Sequence, residues 1–407
     1  MTLPVILRFS TDDENWITLC EKYWEINNEQ QFVHKVAELS RDFNISKNQI
    51  AKLVSQYSSA YSDRDCCSQC QSPYMFTSRS DFQQRIDRTW SWICAQCQRK
   101  ENELREAAAR HKQQQYREII REEYGSGNPG PIDSLALSLE SAVYLLSFVR
   151  LLANEDFSFA CSLESVKRRL SPTNNMDLEI LKLLYHENLI SVSPDSQIDA
   201  FQGERAQSFY LTKVCWHLPF GLGSENPKDF AGELEEILRS SEWPDDWRDD
   251  QLDLWKKVAL HECLQYLAVA LNEHGFSFTP GEKTFMVIRN LLEDYSVAQI
   301  WNFIWRAAKD AGAFYLREAV TKLHAANTVV GAIQRYGERA KAERWDIKPY
   351  RRHFDCPQSI FSEVLFNAVL RIGDDGFNKV PSIRKLATLQ RPEVDLPSDG
   401  VSGSNNV

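Results

Sequence analysis

The chain has 407 residues with a formal net charge of −10, and 43% of its residues are hydrophobic against 26% charged. That length predicts two to four domains, and that balance is ordinary for a water-soluble globular protein. It excludes a uniformly basic nucleic-acid coat, and the longest apolar run, 143–152, is too short to span a bilayer. The start, MTLPVILRFSTDDEN, has no basic leader with a long apolar stretch behind it, so the expected location is the cytoplasm, where thiols stay reduced. The charge is segregated: residues 31–100 carry ten Lys or Arg against six Asp or Glu, whereas 224–257 carry eleven acids against five bases.

In chain order, Val33, Val36, Leu39 and Phe43 share one helical face, and Ile50, Leu53, Val54 and Tyr57 share another. Asn44-Ile45-Ser46 between them predicts a turn, because Asn tolerates the left-handed region and Ser46 can cap the next helix. Leu39, Phe43, Ile45, Ile50 and Leu53 fall where a helix-turn-helix keeps its apolar contacts. Over these thirty residues the sequence resembles the DNA-binding helix-turn-helix of bacterial regulators. The resemblance implies that the second helix enters the major groove, with Lys47, Asn48, Gln49 and Lys52 as its readers of base edges and phosphates.

Five of the ten cysteines lie in 65–98. Cys67 and Cys70 are separated by two residues, as are Cys94 and Cys97. A two-residue spacer lets the chain turn so that both sulfurs face one ion, and two such knuckles complete a tetrahedron. Strand-like Tyr74-Met75-Phe76 and Trp90-Ser91-Trp92 flank the knuckles, so the window resembles a zinc ribbon holding structural Zn2+. A redox dithiol is disfavoured, since no βαβ setting surrounds either pair. Cys66 is the spare thiol, and four thiolate ligands leave no open position for catalysis. Arg79, Arg85, Arg88, Arg99 and Lys100 either extend a phosphate-contacting surface or are simply solvated.

Residues 101–124 read as a solvated charged helix, ended by the breakers GSGNPGP at 125–131. Beyond it, 135–152 predicts a buried helix, SLESVKRRL a second from Ser162, and MDLEILKLLYHEN a third capped by Asn174 or Asn175. LISVSP and SFYLTKVCWHL read as a strand pair, and the segment resembles a winged helix. From 225 on the pattern is helical, with segments at 252–271, from a Ser296 cap onward, at 321–343 and at 358–372, the last closed by Gly373. The Pro/Ser/Gly-rich tail predicts disorder.

Three stretches invite chemistry. HECLQ (261–265) opens like a zinc-protease helix but has Gln265 where the second histidine is required, so that reading fails. Arg317 and His324, with six residues between them, loosely resemble the Arg-x4-6-His pair of helical HEPN ribonucleases. RYGERAKAERWDIKPYRRHF (335–354) mixes basic and aromatic residues, with Arg351 and Arg352 as nucleic-acid contacts or as a solvated helix end with its loop. The acids in EWPDDWRDDQLD (242–253) suit an exposed helix start better than a metal site.

The expected architecture is mainly α and multidomain: helix-turn-helix 1–62, zinc ribbon 63–100, charged connector and linker 101–131, winged-helix-like α+β segment 132–223, α-helical domain 224–385 and tail 386–407. The expected function is a zinc-containing DNA-binding protein, a regulator or accessory factor of the kind that serves mobile elements or defence systems. RNA is an alternative ligand, no membrane is involved, and the helical carboxy-terminal part would mediate homo-oligomerisation or partner contact. Two other readings stand beside it: a ribonuclease built on Arg317 and His324, and a non-catalytic subunit of a larger complex.

Overall fold

The structure, a computed structural model, describes residues 5–86 and 92–382 apart from 30, 128, 158, 223–225, 241, 242, 244 and 319, together with Leu386. Trp90, Ser91, Arg88 and almost all of the tail expected to be disordered therefore lie outside the described residues. The fold is mainly α, and it divides into two compact units, Met1–Gln114 and Gln115–Val407. No described helix is long and apolar enough to cross a membrane.

The first unit opens with β1 (Val5–Phe9) and α1 (Glu14–Trp24), whose first turn is capped by the Asp13 carboxylate accepting from Asn15 N–H at 2.9 Å. Helices α2 (Val36–Asp42) and α3 (Lys47–Tyr57) follow, then β2 (Ser58–Cys66), β3 (Pro73–Phe76) and α4 (Arg79–Ile86). The turn between α2 and α3 forms as its residues predict. Asn44 sits at φ 52°, and Ile45 N–H closes on Ser40 O at 3.0 Å. Ser46 occupies the cap position, but its side chain makes no capping bond. The three strands form one antiparallel sheet in the order β1-β2-β3, with Ile6 opposite Tyr61 and Tyr61 opposite Met75. Leu19, Tyr23 and Trp24 of α1 pack with Leu39, Ile50, Val54, Phe76 and Phe82 in a single core, so α2, α3, β3 and α4 share one hydrophobic interior. Trp24, Phe32, Phe76 and Phe82 meet largely edge to face, the arrangement favoured by ring quadrupoles.

Helix α5 (Ala95–Tyr124) begins in the first unit and ends in the second. Residues 101–115 are exposed throughout, as expected of a charged connector. Its last turns are not solvated: Ile120 is buried, Tyr124 Oη donates to Ala206 O at 2.7 Å, and Arg117 donates to Ser196 O at 2.6 Å.

The second unit continues with β4 (Pro131–Ile132), α6 (Leu139–Leu152), α7 (Asn174–His186), β5 (Ser191–Val192), β6 (Phe201–Gln202), β7 (Ser208–Phe209), β8 (Trp216–His217) and β9 (Phe220–Gly221). As the pattern predicts, α6 is buried on nearly all sides, and Ser138 caps it. The expected strand pair forms between β5 and β8, while β6 and β7 make a separate hairpin. The helix expected from Ser162 is absent: only Leu163–Ser165 makes a 3-10 turn. The reason is tertiary pairing, since Arg169 and Leu170 carbonyls accept from the N–H groups of Ile360 and Phe361, and Glu164 N–H donates to Thr212 O. The cap of α7 is Thr173, whose hydroxyl accepts from Met176 N–H, one residue before the expected asparagines.

Then come α8 (Pro227–Arg239), α9 (Asp245–Glu273), α10 (Glu282–Leu292), α11 (Val297–Arg317), α12 (Lys322–Ala342), α13 (Ile360–Glu363) and α14 (Asp375–Asn378). Ser296 and Gln299 form a full capping box at α11. The helix expected over 358–372 is instead α13 running into a π-helical turn, Val364–Val369, before Gly373 at φ 50°. The core of this unit centres on Trp216, Trp247, Trp255 and Trp301 with the inner faces of α6, α9 and α11.

Candidate metal centre and nucleic-acid face

The sheet of the first unit delivers the first knuckle. β2 stops at Cys66, and β3 starts at Pro73. Between them Cys67 N–H donates to Ser72 O at 2.8 Å, Gln71 N–H donates to Cys67 O at 2.9 Å, and Gln71 takes the left-handed conformation at φ 61°. That tight reversal turns both sulfurs to one side. Ser68 N–H donates to Trp92 O at 2.9 Å, which ties the second knuckle alongside the first. Cys94 immediately precedes α5, and its sulfur accepts from Cys97 N–H at 3.4 Å, in the manner of an N-cap.

The four sulfurs of Cys67, Cys70, Cys94 and Cys97 all lie within 4.8 Å of one another, with Cys70 and Cys94 3.6 Å apart. A regular tetrahedron with metal–sulfur bonds of about 2.3 Å has sulfur–sulfur edges of about 3.8 Å, so the cluster has the dimensions of a tetrathiolate site. Burial raises the Cys67 thiol, but the N–H groups of Cys94, Cys70 and Gln69 outweigh it and bring it down to about 6. Ser72, with its hydroxyl 3.2 Å from Cys70, lowers that thiol as well. Cys97 is pushed up to about 12 through its hydrogen bonds to Cys70 and Cys94. Thiolates this close repel one another, and a thiophilic dication is the group that relieves the repulsion. The residues present therefore fit a closed metal site. Cys66 is exposed and lies outside the four-sulfur cluster.

Of the second expected strand, Trp90-Ser91-Trp92, only Trp92 lies within the described residues. Trp92 contributes an isolated bridge to Cys67, and the chain then runs straight into α5. The segment after Cys94, AQCQRKENELREAAAR, is made of strong helix formers, and a cysteine sulfur caps its start.

On α3, Ile50 and Val54 are buried in the core, while Lys47, Asn48, Gln49 and Lys52 are all exposed. No acid stands in the first turn, so two lysines and the positive end of the helix dipole share one solvent-facing edge. Arg99 and Lys100 are exposed on α5, near the second knuckle in sequence. Arg79 is different. Its guanidinium donates to Tyr23 O at 2.6 Å and His34 O at 2.7 Å and lies over the rings of Tyr23 and Phe32. Burial lowers it to about 10, so it is a core fastener and not a phosphate contact. The Arg85 side chain, like Arg88, lies outside what the structure describes.

In the second unit the candidate residues separate. Arg351 is exposed, whereas Arg352 donates to Glu262 at 2.7 Å and covers the Phe377 ring at 4.4 Å. Glu262 is 1% exposed and also accepts from Ser362 Oγ at 2.9 Å. Sequence reading passed over this glutamate while rejecting HECLQ. The available signal was an acid inside a broad apolar helix, which requires a buried partner. Arg317 and His324 are both exposed, and among the described residues no hydrogen bond or ion pair joins them. From Trp247 onward, the described part of the acidic run lies within α9.

His261 is 7% exposed, and its Nδ1 lies 2.7 Å from Thr173 Oγ1. Burial, the largest influence, lowers it to about 4, with an upward pull from Glu179 next in size and smaller downward ones from Lys257 and Arg289. The unfolded chain binds this proton below about pH 6.5 while the folded chain does so only near 4, so stability is lost as pH falls through that window. The expected loss attributable to His261 is roughly 3 kcal/mol. His261→Gln should flatten the fall in the urea midpoint between pH 7 and pH 4.5, and an unchanged slope would contradict this assignment.

Comparison with protein-family models, with curated proteins and with solved structures gives no match to this chain, which leaves the site's own geometry to carry its reading.

Proposed function

We propose that the chain is a zinc-containing DNA-binding protein in which α2, the Asn44 turn and α3 act as a helix-turn-helix. The observation that carries this reading is the exposed quartet Lys47, Asn48, Gln49 and Lys52 on a helix whose opposite face is anchored by Ile50 and Val54. Asn and Gln side chains can pair bidentately with adenine, and the lysines can neutralise phosphates. Zinc at the four cysteines is structural: it ties the β2–β3 turn to the start of α5 and offers no open coordination position. The exposed Arg99 and Lys100 would add to the phosphate-facing charge. The second unit, with α6, α7 and the β5–β8 pair as a winged-helix-like segment and the later helices beyond it, serves self-association or partner contact in a regulator or accessory factor.

The test is selection from a random duplex pool. The purified protein should enrich a sequence motif, and Asn48→Ala with Gln49→Ala should relax it by about 1–3 kcal/mol per lost base contact. Enrichment from a single-stranded RNA pool and not from duplex DNA would sink the helix-turn-helix reading.

A further inference from the structure

Four of the ten cysteines meet in the metal cluster. Of the rest, Cys20, Cys263 and Cys356 are buried and Cys66 is exposed, which leaves Cys161 and Cys215, both half-buried and both free. They are far apart in sequence, and the fold sets them opposite each other. Ala160 and Trp216 form an antiparallel bridge in which each N–H donates to the other's carbonyl, at 2.8 and 2.9 Å. Farther along, Glu164 N–H donates to Thr212 O at 3.1 Å, which keeps the same register, and Thr212 Oγ1 donates to Glu164 Oε1 at 2.7 Å. Between these two points Cys161 follows Ala160 and Cys215 precedes Trp216, so the register pairs the two cysteines directly.

In an antiparallel ladder the pair next to a hydrogen-bonded one turns its main-chain groups outward. Both cysteines do so. Cys161 N–H donates to Leu152 O at 2.7 Å. Cys215 N–H donates to Ser196 Oγ at 2.8 Å, and its carbonyl accepts from Ser193 N–H at 2.9 Å. At such a pair the Cα atoms stand about 4.5 Å apart and the two side chains share one face of the ladder. That spacing falls inside the roughly 4.4–6.8 Å that a disulfide spans. Burial pushes the Cys215 thiol up, the Ser162 N–H pulls it down, and Cys161 adds a smaller push upward, so each sulfur lies within the other's field.

We propose that Cys161 and Cys215 are a redox-active cross-strand pair that closes to an intramolecular disulfide on meeting a disulfide oxidant such as oxidised glutathione. One protein thiolate attacks a glutathione sulfur and releases the first glutathione thiol. The other thiolate then attacks the protein sulfur of the mixed disulfide and releases the second. One S–S bond is broken and one is made, two protein thiol protons end on glutathione, and two electrons pass from the protein to the oxidant. The new bond fastens the segment that leads from Ala160 to α7, which holds only a 3-10 turn, to the residue before β8. A half-buried pair of this kind stays open under a reducing poise and closes when the poise shifts. The inference draws on neither α3 nor the metal cluster.

The experiment equilibrates the full chain, in zinc-containing buffer, with graded ratios of oxidised to reduced glutathione. Free thiols are then blocked in acid, and the digest is mapped by mass spectrometry. A linked peptide pair joining Cys161 to Cys215 is expected, growing with the oxidising ratio and lost on treatment with dithiothreitol. Cys161→Ser and Cys215→Ser should each stop at a mixed disulfide, with one glutathione on the remaining thiol. Oxidation should shift the urea midpoint of the second unit upward in the wild type and in neither variant. Glutathione on Cys161 or Cys215 of the wild type without a link between them would overturn the proposal. So would both thiols staying free at the most oxidising ratio. The wild-type peptide map decides the matter even where a variant fails to fold.

Discussion

Cys67→Ser should cost the first unit its metal and much of its folded structure. Metal content by mass spectrometry should fall from about one ion per chain to near zero, with loss of the tertiary signal from Trp24 and Trp92. The reason is the division of labour within the unit. Its core consists of a few aromatic and aliphatic side chains from α1, α2, α3 and α4 with the sheet. Among the described residues, the segment from Cys67 to Cys97 gives that core Phe76 and Phe82 with Tyr74 packed against them, while its two cysteine knuckles give it no side chain. Metal binding to four such thiolates is worth on the order of 10–16 kcal/mol in small zinc modules, comparable to the whole stability of an ordinary domain. Chelation should reproduce the effect, and Cys66→Ser should retain full metal, because its thiol lies outside the cluster. A metal-free first unit with unchanged thermal stability would contradict this account.

Arg352→Ala should destabilise the second unit by about 3–5 kcal/mol, the penalty for stranding one member of a buried ion pair. Glu262 is 1% exposed and has only Arg352 and Ser362 on one carboxylate oxygen, while the other oxygen has no partner. Burial already drives its carboxyl upward, and Arg352 is the main opposing influence. Removing the guanidinium also removes its contact with Phe377. Urea unfolding checks the size of the effect. Arg351→Ala, one residue away and exposed, should stay within about 0.5 kcal/mol of wild type. Replacing both partners, Glu262→Leu with Arg352→Met, should recover most of the loss. A loss below about 1 kcal/mol for Arg352→Ala alone would show that the carboxylate finds another partner.

The readings that succeeded rested on local chemistry. Asn44 adopts the left-handed turn, Ser296 and Gln299 close a capping box, and each C-x-x-C pair brings its own two sulfurs together, because each depends on residues close in sequence. The readings that failed depended on distant partners. Arg79 and Arg352 look like surface cations in sequence, and both are drawn inside by carbonyls, rings or a buried acid far along the chain. The helix expected from Ser162 yields to backbone pairing with Ile360 and Phe361.

The central claim is that α3 meets nucleic-acid phosphates, and the salt dependence of duplex DNA affinity tests it most directly. Fluorescence anisotropy over a range of salt concentrations should give a steep fall in affinity for the wild type. Lys47→Ala and Lys52→Ala should each weaken binding and reduce the slope of log K against log salt by about 0.9. Wild-type affinity and slope in both variants would contradict the account.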